Sequence, residues 1–230
     1  MSQETMNQDL WSDVDRYITD LLVKPEPVLQ AALDASSAAG LPEIQVAPNQ
    51  GKLLNLLVRL TSARAILEIG TLGGYSTIWM ARALPKNGRL ITLEADPKHA
   101  EVARANIARA GLSEIVELRL GKALDTLPKI AAERLGPFEL IFIDADKPNI
   151  PEYFGWALKL SRKGTLILVD NVVREGAVID SKSSDTSVQG VRRFNEMLAK
   201  EPRVSATAIQ TVGSKGYDGL AIALVVADPA

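Results

Sequence analysis

From residue 65 onward, short apolar runs alternate with stretches of helical length, and this alternation constrains the fold more than any other feature. The runs are rich in β-branched and aromatic residues, which is typical of buried strands. Strand–helix alternation predicts an α/β fold, a Rossmann-like, doubly wound and mostly parallel sheet with helices on both faces. The predicted strands are 65–70, 89–94, 115–120, 138–144 and 164–170, and the helices between them are 76–83, 97–110, 123–135 and 150–160.

The two ends of the chain depart from this alternation. Helices predicted at 8–23, 28–39 and 48–60 form an N-terminal extension (1–62) to a Rossmann-like core (63–230) within a single domain. Their apolar faces either cover the sheet or form a dimer interface. After a last helix, 188–200, the runs 203–210 and 219–226 flank a glycine-containing turn, so we expect the final strand to be antiparallel. The polar stretch 174–189 is long for a connection and is a candidate for a mobile lid over the strand ends.

Composition excludes several classes of protein. The chain has 230 residues, 47% of them hydrophobic, which is enough for a sizeable core. The net charge of −2 comes from 26 basic and 28 acidic residues without a basic block, which argues against a nucleic-acid partner. Cysteine is absent and His99 is the one histidine, so a metal would need oxygen ligands. We expect His99 to lie on a helix surface rather than to act in catalysis.

Nothing in the sequence predicts a membrane or export route. Residues 1–9 are polar and contain acids, unlike a signal peptide, and no apolar stretch approaches the length of about 18 residues that a membrane span needs. The sequence therefore predicts a cytoplasmic protein without a membrane partner.

Polar side chains follow two of the predicted strands. Asp144 and Lys147 come after one apolar run, and Asp170 and Asn171 come after the next. The carboxyl edge of an open α/β sheet is where ligands bind. Two carboxylates and an amide oxygen suit a hard divalent cation such as Mg²⁺. The alternative is that they are ordinary turn residues, since Asp and Asn favour turns.

A glycine-rich segment, 67–76 (LEIGTLGGYS), joins the first strand to a helix. Its glycines allow close approach of a ligand, but the spacing fits neither the G-x-G-x-x-G dinucleotide fingerprint nor a P-loop. Glu94 ends the next strand, 20 residues after Gly74, where an acid can bind both ribose hydroxyls. A nucleoside without phosphate contacts fits, and S-adenosylmethionine is such a ligand. Otherwise the turn serves packing alone and Glu94 is a solvated strand end.

The chain resembles the class I, cation-dependent O-methyltransferases, the family that includes caffeoyl-CoA and catechol O-methyltransferases, and it is most similar to the small bacterial members. The matching motifs are LEIGTxxGYS, IDADK and VDNV, in the order and spacing of the family, together with DGLA at 218–221. The resemblance covers about 48–226, and the N-terminal helices are compatible with it. It implies S-adenosylmethionine as cofactor, a divalent cation, most simply Mg²⁺, and a homodimer.

The resemblance also implies roles for individual residues. The methionine part of the cofactor would contact Glu68, Gly70, Tyr75 and Ser76, its ribose Glu94, and its adenine Ala95 and Ala123. The metal ligands would be Asp144, Asp170 and Asn171, with Asp144 also facing the cofactor and acting in catalysis beside Lys147. In many relatives an aromatic residue stands near Arg174, so the acceptor pocket of this chain is its least predictable part.

The expected reaction moves the sulfonium methyl group to a phenolic oxygen of a small aromatic acceptor, for which a vicinal diol is the best candidate because two adjacent oxygens can chelate one ion. Lys147 would accept the proton; its alternative role is a surface lysine that caps the turn. Two other functions stay open. One is a nicotinamide-dependent oxidoreductase, which the glycine spacing disfavours, and the other is a non-catalytic cofactor-binding protein. A methyltransferase acting on protein or RNA is conceivable, although no basic surface supports it.

Overall fold

The structure is a computed structural model that describes residues 3–228. The outermost residues, 1, 2, 229 and 230, lie outside this range, and with them the first part of the polar N-terminus and both limits of the predicted domain. The helices are α1 (Gln3–Leu22), α2 (Pro27–Ala38), α3 (Pro48–Leu60), α4 (Tyr75–Ala81), α5 (Pro97–Arg109), α6 (Ala123–Ala132), α7 (Ile150–Lys159) and α8 (Thr186–Lys200). The strands are β1 (Ala65–Ile69), β2 (Arg89–Glu94), β3 (Val116–Leu120), β4 (Leu140–Ile143), β5 (Leu166–Asp170), β6 (Val204–Gly213) and β7 (Gly216–Val225). Single 3₁₀ turns lie at Lys147–Asn149 and Ala177–Ile179.

The strands form one sheet in the order β3-β2-β1-β4-β5-β7-β6. The first five strands pair in parallel, and β7 pairs antiparallel with both β5 and β6. The predicted doubly wound sheet with an antiparallel final strand is confirmed. The order reverses between β1 and β4, which is where open α/β sheets form a ligand crevice.

The C-terminal hairpin is longer than the sequence predicts. Strands β6 and β7 pair over ten residues each, from Val204 with Val225 to Gly213 with Gly216. Gly213 resembles a turn residue, but it forms the last pair of the ladder, with Gly216. A side chain there would meet Asp15 of α1, since a Cβ would lie only 2.4 Å from Oδ2. Helix α8 also begins earlier than predicted, since Asp185 caps its first turn through the backbone N–H of Ser187 at 2.7 Å.

Each face of the sheet is covered by helices. On one face α6, α7 and α8 pack on the strands, and Phe154 meets Phe194 edge to face at 5.3 Å. On the other face α2, α3, α4 and α5 bury Leu29, Leu54 and Ile78 against the strands. Two of the three N-terminal helices therefore cover the sheet, which was one of the two roles open for them.

Helix α1 is held at the hairpin side of the molecule. The buried Asp15 carboxylate accepts hydrogen bonds from Asn49 Nδ2 of α3 and from the backbone N–H of Ser214, both at 2.8 Å. On its outer side α1 leaves an apolar stripe exposed, formed by Leu10, Val14, Tyr17 and Leu21. Within residues 3–228 no helix is long and apolar enough to cross a membrane.

Candidate active site

The strand register brings the predicted site residues into one row. Ile69 of β1 is paired with Leu93 of β2 and with Ile143 of β4, and Ile143 is paired with Val169 of β5. The next residue of each strand completes a row across the carboxyl edge of the sheet: Glu94, Gly70, Asp144 and Asp170. Neighbouring strands lie about 4.8 Å apart, so these residues face a common space although they are far apart in sequence.

A cavity of about 570 Å³ opens above this row. Most of the predicted site residues line it: Gly70, Tyr75, Ser76, Glu94, Ala95, Ala123, Asp144, Lys147 and Asn171. Two predicted residues are not on its wall. Glu68 lies beneath it, and Asp170 is buried directly beside Asn171. His99, expected on a helix surface, is a partly exposed residue of α5 that also lines the cavity, with Nδ1 3.7 Å from Glu94 Oε1, because α5 begins right after β2. That it takes no part in catalysis stays a prediction.

The glycine-rich segment forms the cavity floor through close backbone contact. Gly70 has a φ of 99°, and a Cβ there would lie 1.9 Å from the Asp144 carbonyl oxygen. Any side chain at this position would therefore push apart the ends of β1 and β4. Gly74, with φ of 82°, precedes the first residue of α4 in the left-handed conformation. Both glycines are needed for their backbone geometry.

Glu94 is enclosed by backbone donors. Its Oε2 accepts from the N–H groups of Thr71 and Leu72, at 3.3 and 2.8 Å, and its Oε1 accepts from those of Ala95 and Asp96, both at 2.9 Å. The carboxylate thus joins the glycine-rich segment to the end of β2. It also lies on the cavity wall, where a diol can share its oxygens.

Glu68 supports the floor from below. It is fully buried, its Oε1 accepts from Ser76 Oγ at 2.6 Å and its Oε2 from Thr77 Oγ1 at 2.5 Å. Burial raises the pKa of Glu68 to about 7, although these hydroxyl hydrogen bonds oppose the rise. Since Ser76 stands between Glu68 and the cavity, Glu68 is placed to orient the Ser76 hydroxyl rather than to touch a ligand itself.

The β4–β5 half of the edge carries a different arrangement. Lys147 Nζ, in the 3₁₀ turn after β4, donates to Asp144 Oδ1 at 2.9 Å. Asp170 Oδ2 accepts from Gln50 Nε2 of α3 at 2.6 Å, and Oδ1 accepts from the Asn171 N–H at 2.8 Å. Burial, and next the negative charge of Asp144, raise the pKa of Asp170 to about 7.

This donor set fits a divalent cation. Two carboxylates at one register level repel each other, and a cation between them would remove that repulsion while Asn171 supplies a third oxygen. Asn171 has a φ of 60°, an uncommon conformation for a residue other than glycine and one found at functional sites. Within residues 3–228 no group of three or more His, Cys, Asp or Glu side chains gathers as a metal site; the donor set described here has two such side chains, and its third donor is an amide.

The loop after β5 is fixed by Asp218 at the start of the DGLA motif. Asp218 Oδ1 accepts from the backbone N–H groups of Val173, Arg174 and Gly219, each at 2.9 Å. Arg174 also lines the cavity, three strands away from the Glu94 end. The candidate lid therefore begins as a turn tied to β7.

Three supporting residues escaped the sequence reasoning. Gln50 is one polar residue among several on an amphipathic helix and gave no signal. Asp218 lay within a quoted motif but had no assigned role. Gly190 gave the clearest overlooked signal, a glycine inside a helix: a Cβ there would lie 2.2 Å from the Lys147 carbonyl oxygen.

Comparison with known proteins places this site in a family. A model of the family described as O-methyltransferase matches residues 23–224. This chain belongs to that family. A relative of this O-methyltransferase, the catechol O-methyltransferase of Niastella koreensis, is 59% identical over 220 residues that cover 96% of this chain and 100% of the relative. A second, the catechol O-methyltransferase of Mycobacterium tuberculosis, is 53% identical and covers 93% of this chain and 95% of its own.

Solved structures agree with the sequence relatives. The O-methyltransferase from Bacillus cereus in complex with SAH has a TM-score of 0.94 at 59% identity, covering 95% of this chain and 99% of that one. The O-methyltransferase TomG from Streptomyces achromogenes, in complex with SAM, has a TM-score of 0.93 at 53% identity, covering 98% and 100%. The predictions of family, fold and enzyme class, an S-adenosylmethionine-dependent O-methyltransferase, are confirmed.

Proposed function

We propose that this O-methyltransferase transfers the methyl group of S-adenosylmethionine to a hydroxyl of a small vicinal dihydroxy aromatic acceptor, with a divalent cation, most simply Mg²⁺, at the β4–β5 edge. One observation carries the proposal. Asp144 and Asp170 stand at one level of neighbouring strands, and Asp144, Lys147 and Asn171 line the same cavity as the glycine-rich segment.

The cofactor is proposed to lie along the β1–β2 half of the cavity. Glu94 offers two oxygens to the ribose diol, and Ala95 and Ala123 line the place for adenine. Ser76 and Gly70 line the place for the methionine part. This half has no Gly-x-Gly-x-x-Gly turn for a pyrophosphate, which argues against the nicotinamide alternative.

The cation site is proposed from its donors, Asp144, Asp170 and Asn171. A phenol with a pKa of about 10 is a poor nucleophile at neutral pH, and a bound divalent cation would favour its ionised form and orient it. Asp144 reaches both halves of the cavity because β4 lies next to β1. Names of relatives that specify catechol O-methyltransferase support a diol acceptor.

Lys147 is proposed to hold and move the acceptor's proton. Its side chain is 12% exposed and its Nζ is hydrogen-bonded to Asp144; the proton would be taken up by the neutral amine form of this group. Asp144 fixes Nζ at the cavity wall, at the position where an acceptor hydroxyl would meet it. The chain thus contributes binding, orientation and a proton acceptor, and holding two reactants in line can lower a barrier by about 7–11 kcal/mol.

Two further expectations stay proposals. A homodimer is supported by the exposed apolar stripe on α1, where Tyr17 and Leu21 are 66% and 62% exposed, and light scattering at micromolar concentration measures it. A cytoplasmic location and the lack of a nucleic-acid partner stay predictions from composition.

The experiment is methyl transfer from labelled S-adenosylmethionine to a panel of catechols and matching monophenols, with Mg²⁺ and with excess chelator. We expect catechols alone to be methylated, the activity to vanish with chelator, and Mg²⁺ to restore it. Activity that persists in chelator would contradict the cation, and equal use of monophenols would contradict the diol. Cofactor binding without methylation of any acceptor would support the non-catalytic alternative.

A further inference from the structure

The acceptor end of the cavity carries a cation besides Lys147. Arg174 lies three residues after Asn171 and lines the same cavity. In the order β2-β1-β4-β5 it stands at the opposite end from Glu94. Its position therefore bears on what the acceptor carries beyond its hydroxyls.

The backbone at Arg174 is held rigidly. Its φ of 55° is unusual for a residue with a side chain, and Asp218 Oδ1 accepts from its N–H at 2.9 Å. Strand β7 packs closely on this turn, since a Cβ at Gly219 would lie 2.5 Å from Val173 Cγ2. Such fixation allows the side chain to present its charge at a defined place.

The guanidinium group is only partly paired. Its NH1 lies 3.5 Å from Asp218 Oδ2, a long contact, and Asp218 already uses its other oxygen for three backbone donors. The Nε–H is buried and has no acceptor among the residues that the structure describes. A buried unpaired donor is costly, so the contact with Asp218 leaves part of the hydrogen-bonding capacity of the Arg174 guanidinium unused.

The acids on the cavity wall have other partners. Asp144 pairs with Lys147 at 2.9 Å, Asp146 accepts from Tyr153 Oη and Asn149 Nδ2, and Glu94 accepts from four backbone N–H groups. None of these acids forms a salt bridge with Arg174, whose ionic partner within residues 3–228 is Asp218. Arg174 therefore lines the cavity without an ionic partner among the acids of the cavity wall.

We propose that Arg174 selects acceptors that carry a carboxylate in addition to the vicinal diol, such as dihydroxybenzoates or dihydroxycinnamates. This inference rests on the proposed function. A planar guanidinium binds a carboxylate through two parallel hydrogen bonds, which a neutral ester cannot accept with the same strength. Because the carboxylate is remote from the reacting oxygen, the contact holds substrate and transition state alike and acts on KM more than on kcat.

The test compares 3,4-dihydroxybenzoate with its methyl ester as acceptors. The enzymes are the wild type, Arg174→Gln and Arg174→Lys. Arg104→Gln, on the exposed side of α5, is a charge-matched control. We expect kcat/KM of the wild type to favour the acid by about tenfold or more, the scale of one hydrogen bond to a charged group. Arg174→Gln should abolish this preference by raising KM for the acid about tenfold or more, with a much smaller change for the ester. Arg174→Lys should be intermediate, and Arg104→Gln should match the wild type.

A titration of both compounds into enzyme saturated with S-adenosylhomocysteine and Mg²⁺ gives a second readout. Weaker binding of the acid alone in Arg174→Gln supports the proposal. Equal use of acid and ester by the wild type, or an equal loss for both in Arg174→Gln, would overturn it, the latter by showing a role in loop structure. Methylation of neither compound contradicts the proposed function instead, and the titration then decides the role of Arg174 by the same criterion.

Discussion

The two halves of the strand edge hold their acidic side chains in opposite kinds of surroundings. In the β1–β2 half, Glu94 accepts four hydrogen bonds from backbone N–H groups. In the β4–β5 half, Asp170 is buried beside the charge of Asp144, which helps to raise its pKa to about 7. The Glu94 carboxylate is fully hydrogen-bonded by the backbone, whereas the carboxylates of Asp144 and Asp170 repel each other.

The difference explains what each half can bind. We propose that Glu94 accepts hydrogen bonds from a neutral diol without a counter-ion, because four backbone N–H groups already hold its carboxylate in place at the cavity wall. Asp144 and Asp170 would gain most from a cation, because its positive charge would offset the repulsion between the two carboxylates. The polarity of the ligand thus follows from the surroundings of each acid and not from the residue type.

Asp170→Ala removes a proposed cation ligand from the β4–β5 half and has the largest expected effect on activity. Loss of one of three proposed donors should lower Mg²⁺-dependent turnover by about 10³-fold, the scale of several kcal/mol of electrostatic catalysis. S-adenosylmethionine affinity should stay within about twofold, because the cofactor residues lie on the other strands. Steady-state rates over a series of Mg²⁺ concentrations measure the turnover, and a cofactor titration measures the affinity. Asp20→Ala, on the exposed side of α1, is the control. A parallel loss of cofactor binding would show that the halves are not independent.

Glu68→Gln tests the raised pKa of the buried acid beneath the β1–β2 half. The pKa of Glu68 is raised from 4.5 to about 7 in the folded protein, so the folded state binds its proton more tightly than the unfolded state. Wild-type stability should therefore fall as pH rises from about 4.5 to about 7, by up to about 3 kcal/mol, and stay lower above that. The glutamine variant lacks this titration. Urea unfolding at pH 5 and pH 8 measures the difference, with the exposed Glu114→Gln as control; parallel pH profiles for variant and wild type would contradict the raised pKa.

Glu94→Ala removes the acceptor that joins the glycine-rich segment to β2. We expect S-adenosylmethionine affinity to fall by about 1.5–3 kcal/mol, the scale for hydrogen bonds to a charged group, while Mg²⁺ affinity is retained. Glu94→Gln keeps one acceptor oxygen and should lose less. Calorimetric titration of cofactor and Mg²⁺ distinguishes the outcomes, and unchanged cofactor affinity in the alanine variant would remove Glu94 from the cofactor site.

The row of site residues was predictable because strand ends are local features. An apolar run that ends in Asp144 or in Asp170 predicts both a strand and the position of its carboxyl end. Parallel pairing then brings the ends together, whatever the separation in sequence. The boundaries of β1 and β2 follow for the same reason, since Gly70 and Glu94 mark where those apolar runs stop.

The supporting contacts were not predictable, because they depend on how helices dock across the sheet. Gln50 reaches Asp170 across 120 residues, and nothing local distinguishes it from its neighbours on α3. His99 follows the same logic, since its place on the cavity wall depends on the direction in which α5 leaves β2. Glu68 was assigned to the cofactor from sequence, and its position behind Ser76 depends on the packing of α4 on β1.

Gly190→Ala has the smallest expected effect and tests the β4–β5 half by displacing the turn that carries Lys147. The added Cβ would lie 2.2 Å from the Lys147 carbonyl oxygen and 2.7 Å from Pro148 Cα. Both are backbone atoms, so the 3₁₀ turn must move. We expect kcat to fall by about tenfold, because displacements of around 1 Å at a reacting group cost up to about 10²-fold, while KM for S-adenosylmethionine stays unchanged.

The matched control is Gly155→Ala, in α7, where a new Cβ would meet no atom within 4 Å. Both substitutions gain about 1 kcal/mol of helix propensity, so a difference in kcat between them reports the turn that carries Lys147. Equal kcat values would show that α8 yields without moving Lys147. A loss of cofactor affinity in Gly190→Ala would instead connect this turn to the β1–β2 half. The two halves would then share an element, for which Asp144, proposed to contact both cofactor and cation, is the candidate.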